Sequence, residues 1–329
     1  MGAVTPVGNS VGESWEALCS GQSGIGPITK FDAAAFDTRI AGELKGFDPL
    51  RYVTKRERRR YDDFIIFALA AAEMAVLDAL ARTMKMPFWR LYGEKPAPAR
   101  TDITVVIGTP EQAFDFASFY RARGMKIFKI KVGIDYDNDL RRLAAVRRAA
   151  PKAEIFLDAN CAWTVREARS FIRDLGRAGI RPSVLEQPVK KDDFGGLAAL
   201  SRDFDFPVCA DESLYSLRDA VRLLRAGVSG LNIKLMKLGL SQSLEVYRLA
   251  RASGAKLMMG EMLESRLSSL CAAHFAAGLG GFDFIDLDTP LFIKDRVTAG
   301  FAGPGPDGIY DLAGVKAGIG AVPKIFAER

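Results

Sequence analysis

The sequence predicts an α/β fold, a TIM-like (β/α)7β barrel with a C-terminal extension, and two observations carry that prediction. Charged residues recur along residues 129–288, each at or near the end of a short apolar run, and helical patterns separate the runs. FKIKV carries Lys131, IFLD ends in Asp158, VLE in Glu186, VCAD in Asp211 and LNIK in Lys234, and FIDLD carries Asp286 and Asp288. Successive separations are 27, 28, 25 and 23 residues, then 52, or two steps of 26. One strand plus its crossover helix has this length, so the pattern is that of a parallel sheet closed on itself. Such barrels present their chemistry at the C-terminal strand ends, where these charges fall.

In chain order, ITVVI (103–107) reads as the first strand and residues 110–123 as its helix. FKIKV (128–132) precedes an amphipathic helix over 136–150, with Arg141, Arg142, Arg147 and Arg148 on its wet side. EIFLD (154–158) leads to a helix capped near Thr164, and SVLE (183–186) to one beginning after Asp192. PVCAD (207–211), GLNIK (230–234), KLMMG (256–260) and DFIDLD (283–288) complete eight strands, the last followed by Gly/Pro-rich chain rather than a clear helix. Before residue 100 the character changes. Residues 1–50 are loop-rich, and residues 64–93 are Ala/Leu/Met-rich at helical spacing until Pro87 stops them.

Length and composition set bounds. The 329 residues suffice for one barrel and a smaller unit, and the 49% apolar content is ordinary for a globular enzyme. Cys19, Cys161, Cys209 and Cys271 form no CxxC pair, which argues against a disulfide framework or a zinc site and for reduced thiols in the cytoplasm. No basic-then-apolar leader begins the chain, and Pro6 occupies the Ser/Thr position of a myristoylation start. Glu73 and Asp78 interrupt the most apolar stretch, 64–81, so no membrane span is expected. The net charge of +6 owes much to KRERRR (55–60), which reads as a solvated helix face rather than a nucleic-acid patch.

The strand ends carry the chemistry. Lys129 and Lys131 are two apart on a strand and therefore share a face; crowding of the two ammonium groups is expected to lower a lysine pKa toward that of a useful base. Asp158, Glu186 and Asp211 end three successive strands. Converging carboxylates without histidine or cysteine suit a hard cation, Mg²⁺ first and Mn²⁺ second. Lys234 ends the next strand and approaches from the side opposite Lys131. A metal between two lysines suits removal of a proton α to a carboxylate, one lysine taking it and the other returning it to the opposite face. Salt-bridged filler is the competing account, but barrel interiors are normally packed with Val, Ile and Leu.

FKIKVG, LDAN (157–160), EQP (186–188), ADES (210–213) and NIKLMKLG (232–239) together resemble the muconate lactonizing subgroup of the enolase superfamily, over roughly residues 70–329. Asp286-Leu287-Asp288 resembles the DxD of its dipeptide epimerases. The resemblance implies Mg²⁺ bound by Asp158, Glu186 and Asp211, and Lys131 and Lys234 as the acid/base pair working through an enediolate. It also implies Lys129 tuning Lys131, and Asp286 and Asp288 holding the α-ammonium of a dipeptide. Glu261, in GEMLES (260–265), either faces the site or forms a rim salt bridge. Cycloisomerisation and o-succinylbenzoate synthesis are other reactions of the subgroup, but their substrates have no ammonium for the acidic pair. Members are often homo-oligomers.

The first residues do not resemble the family's α+β capping domain. Residues 1 to about 70 resemble instead the start of a β-ketoacyl-ACP synthase of the chain-elongating type, so the chain reads as a chimera joined within about 68–80. Condensation is excluded, because it needs a nucleophilic cysteine and two histidines; the chain has one histidine, His274, and Cys19 lies too early. The expected units are a ketosynthase-like fragment (1–70), a residual capping helix and linker (71–100), the barrel (101–290) and an extension packing near the cap (291–329). Loss of the lid predicts weak or absent epimerase activity. His274 and Cys271 read as core positions of an outer helix, Lys237 as a loop lysine, and Trp89 and Tyr92 as anchors of the last capping helix. Gly303, Gly305 and Gly308 read as turn glycines.

Overall fold

The barrel strands follow one another in space as they do in sequence. They are β1 (Ile103–Val105), β2 (Ile127–Lys131), β3 (Glu154–Asp158), β4 (Val184–Glu186), β5 (Val208–Ala210), β6 (Gly230–Lys234), β7 (Lys256–Gly260) and β8 (Phe284–Asp286). The computed structural model describes residues 5–9, 11–29, 39–44, 75–293 and 298–324. The KRERRR run, the 68–74 part of the expected join and Glu73 lie outside the described residues.

All neighbouring barrel strands pair in parallel. The register aligns Lys131 with Asp158, Asp158 with Glu186, and Gly260 with both Lys234 and Asp286. The charged strand ends therefore stand at one level. β8 and β1 meet without a ladder. Asp102 N–H donates to Ile285 O (3.2 Å), Leu287 N–H to Thr101 Oγ1 (2.7 Å), and Thr104 N–H to Asp288 Oδ2 (2.7 Å). These three bonds close the barrel.

Seven helices cover the sheet: α1 (Pro110–Arg121), α2 (Tyr136–Ala149), α3 (Val165–Arg177), α4 (Phe194–Asp203), α5 (Leu217–Ala226), α6 (Leu235–Ala252) and α7 (Arg266–Leu279). Thr109 and Thr164 form capping boxes with Gln112 and Glu167, and Asp135, Asp193, Ser216 and Ser265 cap four others, so six of the seven helix starts are written in a short polar side chain, α6 being the exception. After β8 a short helix (Thr289–Phe292) stands where irregular chain was expected.

Two expectations fail around α2. Arg142 is not on the wet side; it is fully buried, ion-paired with Asp139 at 2.9 Å. Its guanidinium donates to the carbonyls of Lys131, Val105 and Val106. That claim on the carbonyls draws the chain out of the sheet, so β1 ends at Val105 and Val106 and Ile107 are exposed. Acceptors for both terminal nitrogens offset the cost of burying this guanidinium.

The barrel interior is layered. Phe156, Val184, Cys209 and Met258 form an apolar floor, with Phe284 edge-on to Phe156. Two residues further along the same strands come Asp158, Glu186, Asp211, Gly260 and Asp286, which by strand alternation point the same way. The polar layer thus rests on a dry one.

Residues 75–83 are helical and a 3-10 turn, Phe88–Leu91, follows. Trp89 is buried, and its backbone N–H donates to His274 Nδ1 in the core of α7, as expected of His274 and Trp89. Gly278 allows this approach, since a Cβ there would lie 2.2 Å from Trp89 O. The C-terminal stretch meets the same helix: Arg82 donates to Ala321 O and Ile319 N–H to Asp78. In the N-terminal part, helix Val11–Cys19 and an antiparallel pair, Ile25–Pro27 with Ile40–Gly42, are formed. Among the described residues no helix is long and apolar enough to cross a membrane.

Candidate active site

Nine predicted site residues lie at the C-terminal mouth of the barrel or just inside it. A cleft of ≈ 400 Å³ opens there, lined by Lys129, Lys131, Asp211, Lys234, Glu261, Asp286 and Asp288. Part of its rim is apolar, with Val106, Met262, Leu263 and Phe292 all exposed, while Lys131, Asn160 and Glu212 line another part.

The three acids stand in a row on β3, β4 and just past β5, and ammonium groups engage them one by one. Lys129 Nζ lies 3.1 Å from Asp158 Oδ2, 2.6 Å from Glu186 Oε2 and 2.6 Å from Asp286 Oδ2. Lys131 Nζ lies 2.5 Å from the same Asp158 oxygen and donates to Asn160 Oδ1 at 3.0 Å. At the other end of the row, Lys234 Nζ lies 3.0 Å from Asp211 Oδ2. Lys131 and Lys234 therefore flank the acids from opposite ends. Gly260 leaves room for Lys234, because a Cβ there would lie 2.6 Å from Asn232 Oδ1 and 3.0 Å from Lys234 Cε.

The charges shift accordingly. Burial alone would push Lys129 down, but Asp286, Glu186 and Asp158 outweigh it and hold its ammonium well above the ordinary lysine range. The expectation that crowding by Lys131 lowers a lysine pKa thus fails for Lys129: its nearest charges are carboxylates. Lys234 is likewise raised, burial being outweighed by Asp211 and Glu186. Burial would lift Asp158, yet Lys129 and Lys131 keep it below the usual carboxylate value, and Lys237 and Lys234 do the same for Asp211. Glu186 is pushed up to about 7 by burial and by the charge of Asp158.

Several groups that hold this row were not foreseen. Lys237 is no loop lysine. It is 2% exposed, in a helical turn before the left-handed Gly239. Its ammonium donates to both the carboxylate and the carbonyl of Asp211, and burial pushes its pKa down despite that partner. Its place one turn past Lys234 was the available signal. Gln187 ties two strand ends: its Oε1 accepts from the N–H groups of Asp211 and Ser213, and its Nε2 donates to Val189 O and Ser213. Asn232 donates to Glu186 Oε1 at 2.7 Å.

The second acidic group lies at the β8–β1 seam. Asp288 accepts from Thr104 N–H, and burial with the charge of Asp286 pushes it up to about 6. Glu261 lines the cleft and forms no rim salt bridge among the described residues; its Oε1 accepts from Thr289 N–H, and burial holds it well above the carboxylate range. Among the described residues, the carboxylate trio whose oxygens come within 4.8 Å of one another is Asp102, Asp286 and Asp288. Two of its members are already bonded to Lys129 and Thr104.

The donor set at the row has the chemistry a hard cation prefers, although among the described residues Asp158, Glu186 and Asp211 are not a set whose oxygens all come within 4.8 Å of one another. It offers carboxylate oxygens only, and buried Glu186 Oε2 has no aligned hydrogen bond although Lys129 is close. Asp158, Glu186 and Asp211 are the residues that could hold such an ion.

Comparison with known proteins follows this division of the chain. Residues 112–324 match the model of the family described as enolase C-terminal domain-like, and residues 1–112 match that of the β-ketoacyl synthase N-terminal domain. The two matches meet at residue 112. The chain is 42% identical over 267 residues to a hydrophobic dipeptide epimerase of Citrifermentans bemidjiense, covering 78% of this chain and 72% of that protein. It is 38% identical to an aromatic dipeptide epimerase of Herpetosiphon aurantiacus, covering 91% and 87%. The solved structure of a substrate-liganded complex of the L-Ala-D/L-Glu epimerase from Bacillus subtilis superposes with a TM-score of 0.72 at 34% identity, covering 77% and 71%.

Proposed function

The chain belongs to the enolase C-terminal domain-like family, and from that membership we propose that it is a dipeptide epimerase with a two-lysine mechanism. The observation that carries the reading is the placing of Lys131 and Lys234 at opposite ends of the carboxylate row. Relatives named as dipeptide epimerases support the substrate class.

Asp286 and Asp288, side by side in the cleft, receive the substrate's ammonium group. Val106, Met262, Leu263 and Phe292 on that rim favour an apolar C-terminal residue. Lys234, held as an ammonium by Asp211, is ready to deliver a proton. Lys131 takes the α-proton from the opposite face, and the reverse reaction exchanges the roles. Lys129 stays charged and ties the carboxylate row to Asp286. Asp158, Glu186 and Asp211 would hold Mg²⁺ or Mn²⁺, which would supply positive charge against the developing enediolate, an effect of roughly several kcal/mol in such sites.

A second reading, a barrel that binds the metal but turns over slowly, is favoured by the ketosynthase-like match in place of a capping domain. A site without its lid admits water and loses orientation. Exchange of the α-proton of L-Ala-L-Xaa dipeptides in D₂O, with Mg²⁺, tests both. Slow but metal-dependent exchange is expected. Rates equal to those of an intact relative would remove the impairment, and metal-stabilised protein with no exchange would remove the epimerase.

A further inference from the structure

Behind the Asp286–Asp288 pair lies a third carboxylate that the proposed reaction does not use. Asp102 is fully buried just before β1, and among the described residues neither of its oxygens meets a donor. Its backbone N–H is bonded to Ile285 O, so the residue is fixed at the seam. One oxygen from each of Asp102, Asp286 and Asp288 lies within 4.8 Å of the other two.

Every element packed here has a place in the charge balance. From β2, Lys129 bonds Asp286 at 2.6 Å, but it is shared with Asp158 and Glu186. From β1, Thr104 N–H donates to Asp288, and just before it the Thr101 hydroxyl oxygen accepts from Leu287. Beyond β7, Glu261 lies near Asp288 but burial holds its own carboxyl well above the ordinary range, and the Tyr310 hydroxyl is spent on Leu287 O. Three carboxylates are thus crowded around one shared cation. Such a cluster does not stay fully ionised, and a buried acceptor with no donor is costly. Asp286 and Asp288 each have a donor that favours the ionised form, whereas Asp102 has none.

We propose that Asp102 is a neutral carboxylic acid that donates its proton to Asp286 and so positions the ammonium-binding pair. The role in positioning rests on the reading of Asp286 and Asp288 given above; the protonation does not. Burial, followed by the charges of Asp286 and Asp288, holds the Asp102 carboxyl well above its ordinary range, in keeping with the geometry. The arrangement leaves two ionised carboxylates for one incoming ammonium and excludes a third charge from a dry seam.

Infrared spectra of the full chain with isotope-labelled aspartate, at neutral pH with Mg²⁺ and no dipeptide, read the proton directly. The C=O stretch of a protonated aspartic acid is expected in the wild type and absent from Asp102→Asn. A spectrum without that band, or a band that survives Asp102→Asn, overturns the proposal. Calorimetric titration with L-Ala-L-Phe reads the positioning. Asp102→Ala weakens binding about tenfold, and Asp102→Asn, which keeps a donor, restores most of it. Equal losses in the two variants overturn the donor role. A wild type that shows the band but binds no dipeptide strikes the ammonium reading and leaves the neutral acid standing.

Discussion

The Lys129 ammonium lies 2.6 Å from Asp286 Oδ2 and 2.6 Å from Glu186 Oε2, so one buried charge joins the carboxylate row to the opposite side of the barrel. Removing it leaves Glu186 and Asp286 without their nearest counter-charge and Asp158 with Lys131 alone. Lys129→Met is expected to cost about 3–5 kcal/mol, the usual scale for breaking a buried pair. Urea melts with and without Mg²⁺ check this. The metal-free variant is the least stable form, and added Mg²⁺ recovers part of the loss; a variant as stable as the wild type would contradict it.

Lys237 fixes Asp211 through both its carboxylate and its carbonyl. Groups that orient a ligating carboxylate typically govern affinity by about 10–100-fold. Lys237→Met should weaken Mn²⁺ binding within that range, measured by electron paramagnetic resonance. Unchanged affinity would mean that Asp211 either does not need the lysine or is not a ligand.

His274 is the only histidine of the chain, so its imidazole resonance can be followed without ambiguity. Burial lowers its pKa to about 4. In the unfolded chain it titrates near ~6.5. The unfolded state therefore takes the proton first as pH falls. The stability that the neutral ring contributes is whole above the unfolded value and is lost between there and about 4, roughly 3 kcal/mol in all. An NMR titration with its midpoint near 6.5 in the folded protein would refute this.

Much of the barrel was legible because strand ends recur at the interval of one βα unit and helix starts are marked by caps such as Thr109 and Thr164. The charged layer was legible for the same reason: Asp158, Glu186, Asp211 and Lys234 end apolar runs. What escaped is what depends on partners far away in sequence. Arg142 looks like one of four surface arginines until the carbonyls of Val105, Val106 and Lys131 are brought to it. Lys237 and Asp102 lie just outside the strands they serve, so strand alternation does not reach them. The altered Lys129 had a different cause, since its carboxylate neighbours come from three other strands.

The shape of the β6–β7 pair depends on one residue. Gly260→Ala would set a methyl against Asn232 and Lys234. Proton delivery from the Lys234 side is then expected to fall by about tenfold or more, in line with the sensitivity of such reactions to small displacements. Exchange from the other face should be affected less, and equal losses from both faces would argue against a local effect.

Stereospecific exchange tests the two-lysine account most directly. L-Ala-L-Phe and L-Ala-D-Phe are incubated separately in D₂O and Mg²⁺ with the wild type, Lys131→Ala and Lys234→Ala, and deuterium at the α-carbon is followed by NMR. The wild type is expected to exchange both; each variant loses exchange from one epimer, a different one in each case, and neither interconverts them. Variants that both lose the same epimer, or that continue to interconvert the two, would contradict it.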